Sequence, residues 1–396
     1  MGSGKPKVSV AQALALAREQ WGLAADGPGP CVGLAGYDDA NFRVTDGGTP
    51  YVLKVHNEAD SDPDVQYAEA QNALLHELAS AGLPVPAPLP LVAQCSSSPG
   101  SSSDGGGASA DGRTLRIRAE DGRLHAVRLL TYLPGMLLVD APQSLEMYRQ
   151  LGALLGRANR HLAAAGWDWT ATSVLRRAFD WNVQHLPATY ARVRPALLQL
   201  PSVDVPLLDA VVAHFAAATA AAGDQLTLAL IHSDANERNV LVDAEAAAAA
   251  AAVEQQGTTG TVPAAAAAAG SSGSIISGLI DWNDSQWCWQ ASEPANAALY
   301  MMLLERNIDK PLPAAAALLA GYESEQPLSA AERRMLRTLC MGRLAQSLSM
   351  GVATAAAQPD NSDYLLGTQR NGWRLLRALW SMTDDAFLAA LGGPQA

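Results

Sequence analysis

Cysteine is scarce in this sequence, and its four cysteines form no recognisable pair. Cys31, Cys95, Cys288 and Cys340 are widely separated, with no CxxC motif and no histidine cluster at the spacing of a zinc site. A disulfide framework and a structural zinc site are therefore not expected. We predict free thiols in a reducing compartment, which is typical of a cytoplasmic protein.

Long basic runs and long apolar runs are also lacking. The chain carries 39 acidic and 27 basic residues, a formal net charge of -12, which argues against nucleic acid as a partner. The apolar stretch near 245–253 is a short run of alanine, and the N-terminal segment is periodic and charged. We therefore expect neither a membrane span nor a secretory signal, whereas oligomeric state is left open.

Two segments lack the large apolar side chains that offset the entropy lost on ordering. One covers about 94–113 and is rich in serine and glycine, and the other covers about 244–274 and is rich in alanine, glycine and threonine. We predict that both are surface insertions, disordered or weakly helical. The alanine tract in particular is compatible with a solvent-exposed helix.

The remaining pattern predicts an α+β chain with two lobes. Short alternating β-type runs occur at NFRVT, YVLKV, RTLRIRA and HAVRLLTYL, and one helix, ending near Gly82 and Pro84, lies between the second and third. From about residue 144 onward the periodicity is almost wholly helical. The sequence thus predicts a small antiparallel N-terminal lobe over 1–130 with one main helix, and a larger, mostly helical lobe over 131–396.

The strongest chemical signal is IHSDANERNVLVD, in which Asp234 follows a histidine by two residues and Asn239 follows Asp234 by five. This is the spacing of the catalytic loop of kinases. In-line phosphoryl transfer needs a carboxylate to take the proton of the attacking hydroxyl, and a neighbouring amide oxygen binds magnesium. Asp234 and Asn239 suit these roles, whereas His232 is better explained as a packed residue of the loop.

A second motif, SGLIDWNDSQW, places Asp281 directly after an apolar run. Once the alanine-rich insertion is set aside, Asp281 follows Asp234 at the separation that kinases have between catalytic and metal-binding aspartates. The segments NVLVD and ISGLI then form a β-hairpin with the insertion at its tip. We predict that Asn239 and Asp281 share a metal site; the alternative is that Asp281 is an ordinary turn residue.

In the N-terminal lobe, Lys54 lies in an otherwise apolar β run, so its ammonium needs a partner or a ligand. A lysine that binds nucleotide phosphates fits, with Glu69 of the following helix as its acidic partner; the alternative is a solvated glutamate. Upstream, the segment from Gly36 to Asn41 forms a candidate phosphate-covering turn, although it lacks a full glycine triplet. The backbone near Leu130 to Tyr132 is a candidate for binding the nucleotide base.

Five segments, YDDANFRV, YVLKV, VRLLTYLPG, HSDANERNVLV and GLIDWNDSQW, together resemble the hydroxylysine kinases of the aminoglycoside-phosphotransferase superfamily, which has a protein-kinase-like fold. The resemblance extends through EPANAALYMMLLE and the helical segments that follow. It implies transfer of the γ-phosphate of GTP or ATP, with Mg²⁺, to the hydroxyl of 5-hydroxy-L-lysine. Two departures are visible: Ser233 stands where the superfamily usually has glycine, and Trp282-Asn283 follows the metal aspartate in place of Phe-Gly.

An acceptor with two ammonium groups and a carboxylate calls for acids and a guanidinium near Asp234. Asp284 and Glu293 are the nearest acidic candidates in sequence, and Arg343 is the candidate for the carboxylate, with a structural salt bridge as its alternative. Trp181 and Tyr300 are better explained as core residues than as ligands.

Two rival functions remain. One is a related kinase for another small amine or hydroxy amino acid, such as homoserine, choline or an aminoglycoside. The other is a non-catalytic nucleotide-binding protein that retains the kinase fold.

Overall fold

The computed structural model describes residues 5–36, 39–57, 66–92, 107–120, 122–164, 172–176, 179–257, 273–357 and 369–392. The chain divides into two compact units. The first takes the chain to Leu133 and includes a short 3-10 helix, Ser173–Leu175. The second comprises Pro134–Trp167 and the chain from Arg176 onward.

The first unit is built on an antiparallel sheet. In chain order its elements are α1 Val10–Trp21, β1 Cys31–Leu34, β2 Ala40–Asp46, β3 Thr49–Val55, α2 Gln66–Ser80, β4 Gly107–Ala108, β5 Thr114–Arg118 and β6 Leu124–Thr131. The strand order is β1-β2-β3-β6-β5-β4. The four predicted β runs form β2, β3, β5 and β6, and the predicted helix forms α2.

A hydrophobic core lies between α1 and this sheet. It contains buried side chains such as Trp21 of α1, Phe42 of β2, Leu53 of β3 and Leu129 of β6. Helix α1 begins with a capping box formed by Ser9 and Gln12. The core therefore fixes the strands from which the loops of this unit project.

The second unit is mostly helical. Its elements are β7 Met136–Leu137, α3 Leu145–Ala164, α4 Leu186–Leu197, α5 Val205–Ala222, β8 Leu228–Ile231, β9 Val240–Val242, α6 Ala244–Gly257, β10 Ile276–Leu279, β11 Gln286–Trp289, α7 Ser292–Leu303, α8 Leu312–Glu323, α9 Ala330–Ala357, α10 Gln369–Trp380 and α11 Asp384–Ala390. The short strands form one sheet of order β10-β9-β7 and one pair, β11-β8. An antiparallel sheet followed by a helical unit confirms the predicted α+β class.

Close helix packing in this unit depends on glycine. A Cβ atom at Gly152 of α3 would lie 1.9 Å from the carbonyl oxygen of Leu318 in α8, and one at Gly321 of α8 would lie 1.8 Å from that of Arg149. Any side chain at either position would force the two helices apart. The glycine pair therefore sets the distance between α3 and α8.

The alanine-rich insertion differs in part from its prediction. Its first half forms α6, and Ala247 and Ala251 on that helix are buried rather than exposed. Glu254 accepts a hydrogen bond from the backbone N–H of Leu145 at 2.7 Å and pairs with Arg306 at 2.6 Å. Small side chains allow this helix to lie close against α3, so it is docked. Residues 258–272 lie outside the described residues.

The serine- and glycine-rich insertion also becomes ordered before its predicted end. Residues 93–106 lie outside the described residues, but β4 already pairs with β5, and Asp111 accepts a hydrogen bond from Asn72 at 2.6 Å. Cys31, Cys288 and Cys340 are buried free thiols, and Cys95 lies outside the description.

Within the described ranges, one helical stretch, Val205–Gln225, is long and apolar enough to cross a membrane by length and composition. Core helices of soluble proteins meet the same criterion. Residues Leu208, Val211 and Phe215 of this stretch are buried.

Candidate active site

Two neighbouring loops of the second unit carry the predicted catalytic residues. Loop 232–239 joins β8 to β9, and loop 280–285 joins β10 to β11. Because β9 pairs with β10, as the hairpin prediction required, and β8 pairs with β11, the two loops lie side by side. The N–H of Ile280 donates to the carbonyl oxygen of Asn239 at 2.9 Å. Asp281 follows directly, so the structure brings the predicted metal-binding residues together.

His232 connects the two loops from within. It is 1% exposed, its Nε2 lies 3.0 Å from the carbonyl oxygen of Ile280, and its Nδ1 accepts the N–H of Asp234 at 3.2 Å. Burial lowers the pKa of His232 to about 4, so the ring is neutral at physiological pH. The ring also makes an edge contact with Trp282. His232 therefore packs within the loop, as the sequence suggested.

Both carboxylate oxygens of Asp234 are held. Oδ1 accepts from Nη2 of Arg343 at 3.0 Å, and Oδ2 accepts from Nδ2 of Asn236 at 2.8 Å and Nδ2 of Asn239 at 2.9 Å. Burial raises the pKa of the Asp234 carboxyl above its ordinary value, while the guanidinium opposes that rise. The side chain is 21% exposed, so the carboxylate stays within reach of a ligand.

Asn239 presents an oxygen suited to a metal ion. Its Nδ2 donates to both the carbonyl oxygen and Oδ2 of Asp234, each at 2.9 Å, so the amide N–H groups are used within the loop. Its Oδ1 has no hydrogen-bond partner among the described residues, and the exposed Asp281 follows Ile280, whose N–H bonds the Asn239 backbone. No cluster of three or more His, Cys, Asp and Glu side chains is found in the described ranges. A nucleotide-bound Mg²⁺ takes one or two protein ligands plus phosphates, so this pair fits it.

Both loops contain a residue in the left-handed backbone region. Ser233 has φ 72° and Asp281 has φ 57°, a backbone conformation that residues other than glycine seldom adopt. Glycine would adopt this φ at position 233 without strain, whereas serine does not. The serine side chain gains one hydrogen bond there, because its Oγ accepts from Nε2 of Gln286 at 2.6 Å. Its backbone carbonyl oxygen accepts from Nδ2 of Asn296 at 3.0 Å.

Glu293 has a different place from the one predicted. It lies in the first turn of α7, is 1% exposed, and accepts the backbone N–H groups of His232 at 2.5 Å and Ser233 at 3.3 Å. Burial raises its pKa to about 7. The carboxylate is engaged by the catalytic loop, so the prediction of Glu293 as a substrate ligand does not fit the structure; it braces the loop instead.

Arg343 of α9 is also placed differently. Its guanidinium donates to Oδ1 of Asp234, Oη of Tyr300, the carbonyl oxygen of Trp181 and Oε1 of Gln346 at distances of 2.9 to 3.2 Å. The residue is 1% exposed. Its predicted role as the ligand of a substrate carboxylate therefore gives way to the alternative salt bridge, made here with the predicted catalytic base.

Two further acids contribute charge around this site. Burial opposes the charged form of Arg343, but its pKa is raised by Tyr300, Asp234 and Asp284. Asp284 therefore lies near the guanidinium, and its role as a substrate ligand stays a prediction. Burial raises the pKa of Glu237, whose charge in turn acts on Asp234. Sequence reasoning missed Glu237, although it lies inside the motif between the aspartate and the asparagine.

In the first unit, the candidate phosphate-binding lysine is paired with Asp39. Nζ of Lys54 lies 3.0 Å from Oδ2 of Asp39, and the two side chains are 8% and 7% exposed. Oδ1 of Asp39 accepts from both the backbone N–H and Nδ2 of Asn57. Although burial opposes ionisation, Lys54 and the hydrogen bonds hold the pKa of Asp39 well below its usual range.

The predicted pairing of Lys54 with Glu69 is not formed. Glu69 lies in the first turn of α2, and its Oε1 accepts the backbone N–H of Ala110 at 2.9 Å. Its carboxylate is therefore occupied by the segment that follows the first insertion. Asp39 lies inside the candidate nucleotide loop, but a single-sequence pattern does not single it out.

The candidate nucleotide loop is tightly packed around Gly36. A Cβ atom there would lie 2.6 Å from Nδ2 of Asn41 and 2.8 Å from the carbonyl oxygen of Asp39, so the position requires glycine. Oδ1 of Asn41 is buried and has no partner within the described ranges, which suits contact with a ligand. Tyr37 and Asp38 lie outside the described residues.

The segment predicted to bind the base ends the sheet of the first unit. Leu130 lies in β6 opposite Val52 and forms an isolated bridge with Pro88. Tyr132 follows that strand just before the second unit begins. Base binding by this backbone stays a prediction.

Comparison with known proteins identifies a family. Residues 32–250 match the phosphotransferase enzyme family (APH). A hydroxylysine kinase from Mus musculus is 28% identical over 396 residues, covering 97% of this chain and 92% of its own. The corresponding protein of Danio rerio is 28% identical, covering 96% of this chain and 94% of its own.

Solved structures show the same fold at low sequence identity. An amicoumacin kinase in complex with AMP-PNP, Ca²⁺ and Ami superposes with a TM-score of 0.61 at 14% identity, covering 96% of this chain and 94% of its own. A microcompartment-associated aminopropanol kinase gives a TM-score of 0.56 at 18% identity, covering 94% and 98%. These likenesses support the kinase-like phosphotransferase fold.

Proposed function

We propose, because this chain belongs to the phosphotransferase enzyme family and is therefore a kinase acting on a hydroxyl group, that it phosphorylates 5-hydroxy-L-lysine with GTP or ATP as donor. The observation that carries the proposal is the geometry of the two loops. Asp234 is fixed through both carboxylate oxygens, and the carbonyl oxygen of Asn239 accepts the N–H of Ile280, the residue directly before Asp281. A base and a metal pair so arranged are what phosphoryl transfer to an alcohol requires.

In the proposed reaction Asp234 orients the acceptor hydroxyl and takes its proton. The acceptor oxygen then bonds to the γ-phosphorus while the bond to the β-phosphate oxygen breaks, and the electron pair leaves with the nucleoside diphosphate. Asn239 and Asp281 would hold Mg²⁺, which neutralises charge on the phosphates when bound. Lys54 would bind phosphate oxygens, and Gly36, Asn41, Leu130 and Tyr132 are the further proposed contacts of the nucleotide.

The proposed acceptor rests on the relatives and on the charge around the base. Hydroxylysine kinases match nearly the whole length of this chain. The charge of Glu237 acts on Asp234, and that of Asp284 acts on the neighbouring Arg343, and this negative charge suits an acceptor bearing ammonium groups. We place the reaction in the cytoplasm, since Cys31, Cys288 and Cys340 are free thiols.

A related kinase for another amine, such as homoserine, choline or an aminoglycoside, is the main alternative. The structural neighbour named as an aminopropanol kinase favours keeping this candidate. A non-catalytic nucleotide-binding protein is the weaker one, because the loop retains a positioned base and two metal-suited oxygens.

A panel of acceptors tests the proposal. Purified protein is given Mg²⁺, GTP or ATP, and one acceptor at a time: hydroxylysine, lysine, homoserine, choline, aminopropanol or kanamycin. We expect release of nucleoside diphosphate with hydroxylysine and none with lysine, which lacks only the hydroxyl. Turnover with another acceptor and none with hydroxylysine would replace the acceptor assignment. Nucleotide binding without turnover on the whole panel would favour the non-catalytic alternative.

A further inference from the structure

We infer that Arg343 is a positioning residue for the proposed base, holding Asp234 so that a single oxygen, Oδ1, is left to receive the proton of the acceptor hydroxyl. This inference rests on the proposed function for the role of Asp234. The arrangement of the guanidinium stands independently on the geometry.

The surroundings of Arg343 are those of a fixed side chain. It is among the largest fully buried side chains of the described protein. Its partners come from separate parts of the unit: Asp234 from the catalytic loop, Tyr300 from α7, and Trp181 from the segment before α4. The guanidinium carbon also lies 4.9 Å from the centroid of the Trp181 ring. With Nε, Nη1 and Nη2 all engaged, the guanidinium cannot turn without losing several contacts.

A second side chain of the same helix strengthens this hold. Gln346 accepts from Nη1 of Arg343 at 3.2 Å and donates from Nε2 to the carbonyl oxygens of Asp180 and Asn182, at 2.6 and 3.3 Å. The backbone that presents the Trp181 carbonyl is thereby fixed on both sides. Helix α9 thus sets the position of the guanidinium and of the segment that it bonds.

The hydrogen bonds to Asp234 decide which oxygen stays available. Oδ2 accepts from two amide groups, those of Asn236 and Asn239, and a carboxylate oxygen accommodates about two such donors. Among the described residues, Oδ1 accepts from Arg343 alone, so one acceptor position remains on it. The acceptor hydroxyl therefore meets Oδ1. In the step the O–H bond breaks, the proton passes to Oδ1, and the acceptor oxygen bonds to phosphorus while the nucleoside diphosphate leaves.

A buried arginine can be paired without contacting the catalytic loop. Arg337 provides the comparison, since it lies in the same helix and is 7% exposed. Its guanidinium pairs with Asp384 at 2.6 Å and donates to the carbonyl oxygen of Leu379 at 3.0 Å. Those partners belong to the C-terminal helices, whereas Arg343 pairs with the proposed base.

The decisive experiment compares Arg343→Met and Arg343→Lys with Arg337→Lys as the matched control. We expect Arg343→Met to lower kcat by about 10²-fold, because a base out of place by about 1 Å loses that much. The KM for nucleotide should stay at the wild-type value. Arg343→Lys should recover part of the loss, and Arg337→Lys should keep wild-type kcat. A wild-type kcat in Arg343→Met, or an equal loss in Arg337→Lys, would overturn the inference.

A stability cycle separates this inference from the proposed function. Melting temperatures of Arg343→Met, Asp234→Asn and the double variant need no acceptor. The double variant should lose less than the sum of the two single losses, because the partners are coupled. Additive losses would show that the pair is not coupled and would sink the inference. If the pair is coupled but no acceptor is phosphorylated by the wild type, the proposed function fails on its own.

Discussion

Each unit contains a buried ion pair at its candidate site. The residue proposed to react is the cation in the first pair and the acid in the second. In the first unit the acid Asp39 holds the cation, Lys54, that is proposed to meet phosphate. In the second unit the cation, Arg343, holds the acid, Asp234, that is proposed to meet the acceptor. Both side chains of the first pair are buried, at 8% and 7% exposure, whereas the acid of the second pair is 21% exposed. In both pairs, the residue proposed to react is held in place by its oppositely charged partner.

Removing the reactive acid should have the largest effect. Asp234→Asn keeps the size of the side chain but removes the base, so we expect kcat to fall by about 10³-fold. Nucleotide affinity, followed by tryptophan fluorescence, should stay close to the wild-type value. Asp243→Asn is the control, because Asp243 accepts the N–H of Ala246 at a helix start and asparagine caps equally well. A fully active Asp234→Asn would contradict the assigned role.

Removing Asp39, the acid that pairs with Lys54 in the first unit, should lower stability and weaken nucleotide binding. Asp39→Asn takes away the carboxylate that faces the buried Lys54 ammonium, and breaking such a pair costs about 3 kcal/mol or more. We expect a lower melting temperature and a raised KM for nucleotide. Chemical denaturation and initial-rate kinetics measure both. If both parameters match the wild type, the comparison between the two pairs does not hold.

Weakening the brace of the catalytic loop should have a smaller effect. Glu293→Gln leaves one oxygen to accept two backbone N–H groups and removes the charge from both hydrogen bonds. We expect a loss of about 1–3 kcal/mol in the free energy of unfolding, with a decrease in kcat. Urea denaturation of the variant tests the first part. An increase in KM for the acceptor with unchanged stability would instead return Glu293 to the substrate-binding role that the structure argues against.

The smallest effect should follow the loss of the acid that sequence reasoning chose for Lys54. Glu69→Gln retains an oxygen that can accept the N–H of Ala110, so we expect a change within about 0.5 kcal/mol and the wild-type KM for nucleotide. The same assays as for Asp39→Asn apply, which makes the two variants a matched pair. A larger loss in Glu69→Gln than in Asp39→Asn would reverse the assignment of the partner.

The sequence predicted the parts that follow local patterns. Strands β2, β3, β5 and β6, helix α2, and the β9–β10 hairpin with an insertion at its tip are all present, because alternation, helical stops and residue spacing are local properties. The hairpin brings Asn239 and Asp281 together, although their roles in binding metal stay predictions.

The partners of charged residues could not be predicted in the same way. Which acid reaches Lys54 depends on how the loop after Gly36 folds back, and Glu69 is drawn instead to Ala110. Glu293 lies far from His232 in sequence, yet α7 places its carboxylate against the loop backbone. Such distances are set by tertiary packing, which a single sequence does not encode as a pattern. The buried face of α6 was missed for the same reason.

Ser233 has a consequence for how the catalytic loop reaches its working shape. A glycine at its left-handed φ of 72° would enlarge the set of backbone conformations open to the unfolded chain, and more entropy would be lost on folding. Serine has fewer alternatives in the unfolded chain but adopts this φ only with strain, and the bond that its Oγ accepts from Gln286 helps to hold it there. Together with the bond from Asn296 to its carbonyl oxygen, this contact fixes the residue directly before Asp234, so little of the binding energy should be needed to order the loop.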